Sequence, residues 1–141
     1  MKMLKEIGLI GLGVMGKNIA LNLSDNGVAI KAFNDSKEKL EEIKKEFSDT
    51  FEGHTDINNL INSLSKPRTI LLMVPSGKAT KDVIEKIKDL LDEGDLVIDG
   101  GNSFYLDSEE NGLALEQKKI KFMGMGVSGG EEGARNGPAI M

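Results

Sequence analysis

Six residues near the start of the chain, Gly11-Leu-Gly13-Val-Met-Gly16, hold three glycines at the spacing G-x-G-x-x-G. Glycine lets main chain turn sharply and approach a ligand closely. Main-chain N–H groups at the head of a helix attract phosphate. The chemistry that follows is the holding of a pyrophosphate. Gly11 would permit the turn, Gly13 the approach of backbone to the phosphates, and Gly16 the close packing of helix on strand. A second position of interest lies 19 residues past Gly16, at Asp35 in the run Phe33-Asn34-Asp35-Ser36. A carboxylate there can accept hydrogen bonds from the adenosine ribose hydroxyls and would repel a 2′-phosphate. Asp35 therefore favours NAD over NADP. Asn34 and Ser36 can still donate to a phosphate, and capping of the next helix is the plainer role for Asp35. Two further glycine clusters, Asp99-Gly-Gly-Asn-Ser103 and Gly126-Val-Ser-Gly-Gly-Glu-Glu-Gly-Ala-Arg135, place amides and hydroxyls among exposed N–H groups. Such loops can cradle an anion or hydroxyl, or be ordinary turns.

A bare G-x-G-x-x-G is common, so its setting must carry it. Ile7–Ile10 is an apolar run without alternation, as in a strand buried on both faces. Met15, Ile19 and Leu23 follow at i, i+4, i+8, one face of a helix that Asn26-Gly27 would end. Strands are then expected at Val28–Phe33, Thr69–Val74, Leu96–Ile98 and Ile120–Met123. Helices are expected after the caps Ser36 and Asp56, over Thr80–Leu91 and over 104–118. The alternation predicts an α/β protein. It is a Rossmann-type doubly wound, mostly parallel sheet with helices on both faces, whose ligand edge lies at the strand C-termini. The loops at 11–16, 74–77 and 100–101 all fall on that edge. His54, the one histidine, is expected in a solvent-facing loop after the second helix. Lys37–Lys45 reads as a solvated helix face with the pairs Lys37–Glu41 and Glu41–Lys45.

The 141 residues amount to one domain, and their composition excludes a disordered chain. Glycine is high, 17 residues or about 12% against a usual ~7%. The absence of cysteine excludes disulfides, thiolate metal sites and a thiol nucleophile, and fits a reducing cytoplasm. No metal site is expected. The longest apolar run, Ile70–Pro75, is too short for a membrane span, and a net charge of −5 argues against bulk nucleic-acid binding.

Several stretches together resemble the decarboxylating 6-phosphogluconate dehydrogenases. They are Gly11–Gly16 followed by Lys17-Asn-Ile-Ala-Leu-Asn22, Asp99–Ser103, and Val127–Arg135 with Gly137-Pro138. The resemblance covers nearly the whole chain. It implies an oxidoreductase of the pentose phosphate pathway that takes a hydride from C3 of 6-phosphogluconate and releases carbon dioxide, giving ribulose 5-phosphate. By motif, Gly11, Leu12, Gly13, Val14, Met15 and Gly16 would hold the pyrophosphate of NADP or NAD. Asn34, Asp35 and Ser36 would meet the adenosine ribose, with Val74, Pro75 and Ser76 alongside. Asn102 would touch both cofactor and substrate, and Ser128, Gly129 and Gly130 would hold the sugar acid. The resemblance also implies a cytoplasmic homodimer in the full-length family.

Two departures stand out. That family commonly has Asn-Arg-Thr where this chain has Asn34-Asp35-Ser36, and a lysine at the position of Pro75; both lean toward NAD. The family's catalytic lysine and glutamate, and its large helical domain, lie beyond the Ser-Gly-Gly segment. Residues 1–141 thus read as a truncated dinucleotide-binding domain with no catalytic residue of its own, binding cofactor without turnover. Two alternatives remain open. One is a β-hydroxyacid dehydrogenase of the hydroxyisobutyrate type, which usually carries Asp-x-Ser-Thr where this chain has Gly100-Gly-Asn-Ser103. The other is a non-catalytic dinucleotide-binding or sensing module.

Overall fold

Leu9 and Ile10 are adjacent in sequence yet belong to two different hydrophobic layers. Both lie on strand β1 (Glu6–Ile10), and successive strand side chains point to opposite faces. A strand covered on both faces needs apolar residues in succession, which is why Ile7–Ile10 shows no polar alternation. The computed structural model describes residues 5–47, 50–75, 77–101, 105–125, 127–128 and 139–140, of which 105–108, 127–128 and 139–140 are described by backbone alone.

After β1 come α1 (Val14–Asp25), β2 (Ala29–Phe33), α2 (Lys37–Lys44), β3 (Phe51–His54), α3 (Ile57–Ser63) and β4 (Thr69–Leu72). Then follow α4 (Lys78–Ile87), β5 (Leu96–Asp99), α5 (Tyr105–Glu116) and β6 (Lys121–Gly124). These six strands form one parallel sheet in the order β3-β2-β1-β4-β5-β6. The direction of travel reverses between β1 and β4, so the crossover helices fall on opposite faces. Ile19 of α1 and Leu40 and Ile43 of α2 pack with Leu9 and Ile30 on one face. Leu60, Ile84 and Leu115, from α3, α4 and α5, pack with Ile10, Ile70 and Val97 on the other. The expected doubly wound α/β fold is the observed one. No helix among the described residues is long and apolar enough to cross a membrane.

Some expectations are corrected. His54 is not in a solvent-facing loop. It ends β3, its side chain is only 15% exposed, and its Nε2 lies 3.3 Å from the Glu52 carboxylate. The strand was hidden in sequence because Phe51-Glu-Gly-His carries one large apolar residue. An edge strand needs no more, and Gly53 lies against Leu40, where a Cβ would sit 3.1 Å from that side chain. A short antiparallel pair, β7 (Val127–Ser128) with β8 (Ala139–Ile140), was likewise not foreseen. The pairs Lys37–Glu41 and Glu41–Lys45 are not made; an ion pair between Lys17 of α1 and Glu46, 3.2 Å, ties the two helical segments instead. β4 ends at Leu72, two residues short of its apolar run, with Met73 N–H still bonded to the Ile10 carbonyl of β1.

The rim at the strand N-termini is held by charge. Arg68, just before β4, is 6% exposed and donates to Asp95 Oδ2 at 2.9 Å, while its Nε donates to the Ile61 carbonyl. Asp95 is fully buried and also accepts from the main-chain N–H groups of Arg68 and Asp92. Nearby, Lys31 donates to Glu6 at 2.8 Å and to the Ser63 carbonyl at 2.6 Å, and Glu6 accepts from the Ser65 N–H. Burial alone would raise the Glu6 carboxyl; the bonds from Lys31 and Ser65 outweigh it and hold it below its ordinary value. The same bond to Glu6, against the opposing cost of burial, holds the Lys31 ammonium above its own.

Candidate functional site

The chain turns as soon as β1 ends. Gly11 has φ +110°, a conformation that favours glycine, and a Cβ there would lie 2.5 Å from the carbonyl oxygen of Met73. A Cβ on Gly16 would overlap the carbonyl oxygen of Gly11. The first and third glycines therefore let chain press on chain. Gly13 differs, since a Cβ there would meet nothing within 4 Å. It faces open space directly over the start of α1.

That helix start is chemically bare. Gly13 is the N-cap, no side chain caps it, and its first turn has no acidic residue. The earliest helical bond runs from Lys17 N–H to the Gly13 carbonyl at 2.9 Å, so the N–H groups before it lack helix partners. The next two helices are finished differently. Ser36 Oγ accepts from Lys39 N–H at 3.2 Å, and Asp56 Oδ1 accepts from Asn58 N–H at 2.7 Å. An unpaired row of N–H groups at a dipole's positive end, beside a glycine with nothing above it, suits a pyrophosphate.

Within the loop, side chains divide the work. Leu12 is buried and Met15, in the first turn of α1, packs on the core, so both offer chiefly main chain to a ligand. Val14 is 57% exposed and turns an apolar side chain outward. A cleft of about 260 Å³ opens beside the loop, bounded by Gly11 and Leu12, by Phe33 at the end of β2 and Asn34 and Asp35 after it, by Val74, and by Val83 and Lys86 of α4. Asn34 N–H bonds the His54 carbonyl, which carries the sheet ladder one step past β2. Asn34 Oδ1 accepts from Ser36 N–H at 2.8 Å. Ser36 thus caps α2, while the Asp35 side chain is exposed at the cleft rather than acting as cap. A larger groove, about 670 Å³, lies on the outer side of α5 and β6, away from these loops.

Met73 is the shared neighbour of the two described glycine loops. Its N–H bonds the Ile10 carbonyl at 2.8 Å, its carbonyl meets Gly11, and its Cβ lies 3.3 Å from the place of a Gly16 Cβ. A Cβ on Gly100 would sit 2.5 Å from Met73 Sδ, and one on Gly101 would overlap the Val74 carbonyl oxygen. Asp99 is buried and its Oδ1 accepts from Gly101 N–H at 2.9 Å, which fixes the turn after β5. Pro75 is exposed and its carbonyl accepts from Thr80 Oγ1 at 2.9 Å, which seats the start of α4.

Of the residues expected at the site, Gly11, Leu12, Gly13, Val14, Met15, Gly16, Asn34, Asp35, Ser36, Val74 and Pro75 stand at the exits of β1, β2 and β4, on one edge of the sheet. Ser76, Asn102, Gly129 and Gly130 lie outside the described residues, and Ser128 is placed only by its backbone, in β7. Met73, Val83 and Lys86 were not read from sequence as site residues. Met73 could have been suspected, since it is the residue at which an apolar strand meets two glycine loops. Lys86 could not, because a lysine on an exposed helix face has no signal of its own. Among the described residues there is no group of three candidate metal ligands.

A family model described as the NAD binding domain of 6-phosphogluconate dehydrogenase matches residues 6–141. The decarboxylating 6-phosphogluconate dehydrogenase of Chlamydia muridarum is 51% identical over 138 residues, covering 96% of this chain and 29% of that protein. The Staphylococcus aureus enzyme (strain Mu50) is 49% identical over 144 residues, covering 99% of this chain and 30% of that protein. The chain thus spans under a third of the length of these relatives. Among solved structures, Plasmodium falciparum 6-phosphogluconate dehydrogenase, described with its cofactor NADP+ and its substrate 6-phosphogluconate, superposes with a TM-score of 0.88 at 41% identity over 96% of this chain and 30% of that one. A 3-hydroxyisobutyrate dehydrogenase of Mycobacterium tuberculosis shares the fold, with a TM-score of 0.82 at 20% identity over 94% of this chain and 44% of that one. Matched along all but its first five residues, the chain belongs to the family of NAD-binding domains of 6-phosphogluconate dehydrogenase.

Proposed function

We propose that this chain is the cofactor-holding domain of an oxidoreductase that oxidatively decarboxylates 6-phosphogluconate to ribulose 5-phosphate. One observation carries the reading: an uncapped helix start lies under a glycine whose Cβ would enter empty space. That is the form needed by a diphosphate resting on main chain, and the residues present fit NAD or NADP.

The chain's own residues bind and orient. Main-chain N–H groups of Gly13 to Gly16 hold the pyrophosphate, and the positive end of α1 favours its charge. Asn34, Asp35 and Ser36 meet the adenosine ribose, while Val74, Pro75 and Ser76 line its path. When bound, the nicotinamide supplies the hydride acceptor for C3 of the sugar acid. Asn102 reaches both cofactor and substrate, and Ser128, Gly129 and Gly130 seat the substrate. These last assignments rest on the family resemblance. The general base and the rest of the substrate site belong to segments of the relatives that this chain does not span. By the same resemblance the whole enzyme is a cytoplasmic homodimer.

Calorimetric titration of the 141-residue chain with NAD and NADP tests the reading. Saturable binding of at least one dinucleotide is expected, with no product from 6-phosphogluconate. Absence of binding would remove the cofactor assignment; turnover would remove the division of labour.

A further inference from the structure

Asn26-Gly27 ends α1, and the pair carries a chemistry that the cofactor site does not use. The side-chain carbonyl carbon of an asparagine, Cγ, can be attacked by the main-chain nitrogen of the next residue. Glycine hinders this least, because no Cβ stands beside the attacking nitrogen. Asn-Gly occurs at 26–27, 111–112 and 136–137. The last of these lies outside the described residues. Folding sets the other two in opposite surroundings.

Asn26 and Gly27 are both exposed. Gly27 has φ +87° and nothing within 4 Å of where a Cβ would stand, so a ring can close there without collision. Asn26 has already left the helix, with ψ 16°. Its side-chain amide donates to the Asn22 carbonyl at 2.8 Å and to Asn22 Oδ1 at 3.0 Å, both at the surface. The attacking nitrogen is held by a bond from Gly27 N–H to the Ser24 carbonyl at 3.0 Å. Ring closure requires that bond to open and Asn26 to rotate about ψ. Both changes fall at an exposed helix end, where local opening costs least. Asn111, by contrast, is 5% exposed and lies inside α5. A Cβ on Gly112 would lie 3.4 Å from the Phe122 ring. Closure there requires α5 to unwind within its hydrogen-bonded body and to part from β6.

We infer that Asn26-Gly27 is a site of spontaneous covalent modification, at which Asn26 passes through a five-membered succinimide to aspartate and isoaspartate. The Gly27 nitrogen gives its proton to hydroxide and bonds to Asn26 Cγ. The Cγ–Nδ2 bond breaks, and the amide nitrogen takes up a proton and leaves as ammonia. Water then opens the ring. Opening at Cγ gives aspartate, and opening at the main-chain carbonyl carbon of Asn26 gives isoaspartate. No oxidant or reductant takes part, and the inference stands without any reading of the cleft.

The consequence is structural. Either product puts a carboxylate at the negative end of the α1 dipole, next to Asp25. Isoaspartate also lengthens the main chain by one carbon. That carbon enters the turn in which Asn26 N–H and Val28 N–H both bond the Leu23 carbonyl at 3.0 Å. The same turn leads into β2, whose Ala29 N–H bonds the Lys5 carbonyl at 2.8 Å.

The test incubates the 141-residue chain in warm, mildly alkaline buffer and follows each asparagine by peptide mass spectrometry. In the folded chain, conversion at Asn26 should run at least about tenfold ahead of Asn111; in urea the two should come within about threefold, since structure no longer separates them. Asn26→Gln keeps an amide but would have to close a slower six-membered ring. The aged parent should melt about 2 °C or more below the fresh one, and aged Asn26→Gln should keep most of that difference. Asn26 converted no faster than Asn111 in the folded chain, or parent and variant losing stability alike, would overturn the inference.

Discussion

Gly16 presses its bare Cα side against the carbonyl of Gly11, so closely that a single methyl would overlap the oxygen. Gly13, between them, has no such neighbour. Two glycines in one motif thus serve the fold and one, in the proposed function, serves the ligand, and substitution can tell them apart. Gly13→Ala should change the melting temperature little, because alanine fits φ −69° and the reduced freedom of the unfolded chain offsets the poorer N-cap. It should weaken dinucleotide binding about tenfold or more, since a methyl then occupies the phosphate's approach. Gly16→Ala should instead lower stability by about 1–3 kcal/mol or more, as forced overpacking does. Thermal melts beside titrations read both, and equal binding by Gly13→Ala would sink the assignment.

Met73 and Gly100 give a second test. The added methyl of Gly100→Ala would meet Met73 Sδ at 2.5 Å, and Met73→Ala would remove that obstacle. Each single change should destabilise, the first by crowding and the second by leaving a gap. Together they should cost less than their sum by about 0.5 kcal/mol or more, the mark of residues in contact. Additive urea midpoints would show that the two loops do not share this neighbour.

The Arg68–Asp95 pair should dominate stability at the other rim. Asp95→Ala leaves two main-chain N–H groups without their acceptor and takes from the buried Arg68 guanidinium its shorter carboxylate partner, leaving Asp92 at 3.3 Å and the Ile61 carbonyl. Breaking one partner of such a pair costs about 3–5 kcal/mol. Denaturant unfolding should show a loss of that size. Because this rim is remote from the strand exits, the remaining folded protein should bind dinucleotide normally.

Acid should act through Glu6. Its carboxyl is held below the ordinary 4.5, so the stability it contributes is present above that pH and is lost as pH falls through the lowered folded value. Lys31 is held above 10.5, so its contribution is full below that pH and fades only as pH rises through the raised value. Between these limits the pair is intact. Glu6→Gln should lower the urea midpoint at pH 7 and flatten its decline on acidification. A variant as acid-sensitive as the parent would remove Glu6 from the account.

Much of the architecture was legible because buried parallel strands announce themselves. Ile7–Ile10 and Ile70–Leu72 are apolar without alternation, and only a strand covered on both faces asks for that. The tight glycine turn between β1 and α1 was legible because glycine spacing is a steric requirement written directly in residue type. β3 was not, since an edge strand with one apolar residue and a glycine leaves no period to detect. His54 was misplaced for the same reason. Met73 and Lys86 escaped because their importance comes from what folding sets beside them, a relation that neither residue type nor local spacing encodes. Asp35 was legible as a carboxylate just past the second strand, but its exposure at the cleft and the commitment of Asn34 and Ser36 to backbone bonds emerged only in three dimensions.

The doubly wound sheet assigns separate duties to its two margins. One is pinned by buried and half-buried ion pairs; the other presents unpaired main-chain N–H groups at the start of α1 beside a cleft whose side chains make few bonds to the fold. Changes that toughen the protein can accumulate at the first margin while ligand preference drifts at the second. A lineage with this scaffold can therefore alter what rests on the second margin without rebuilding what keeps the chain folded.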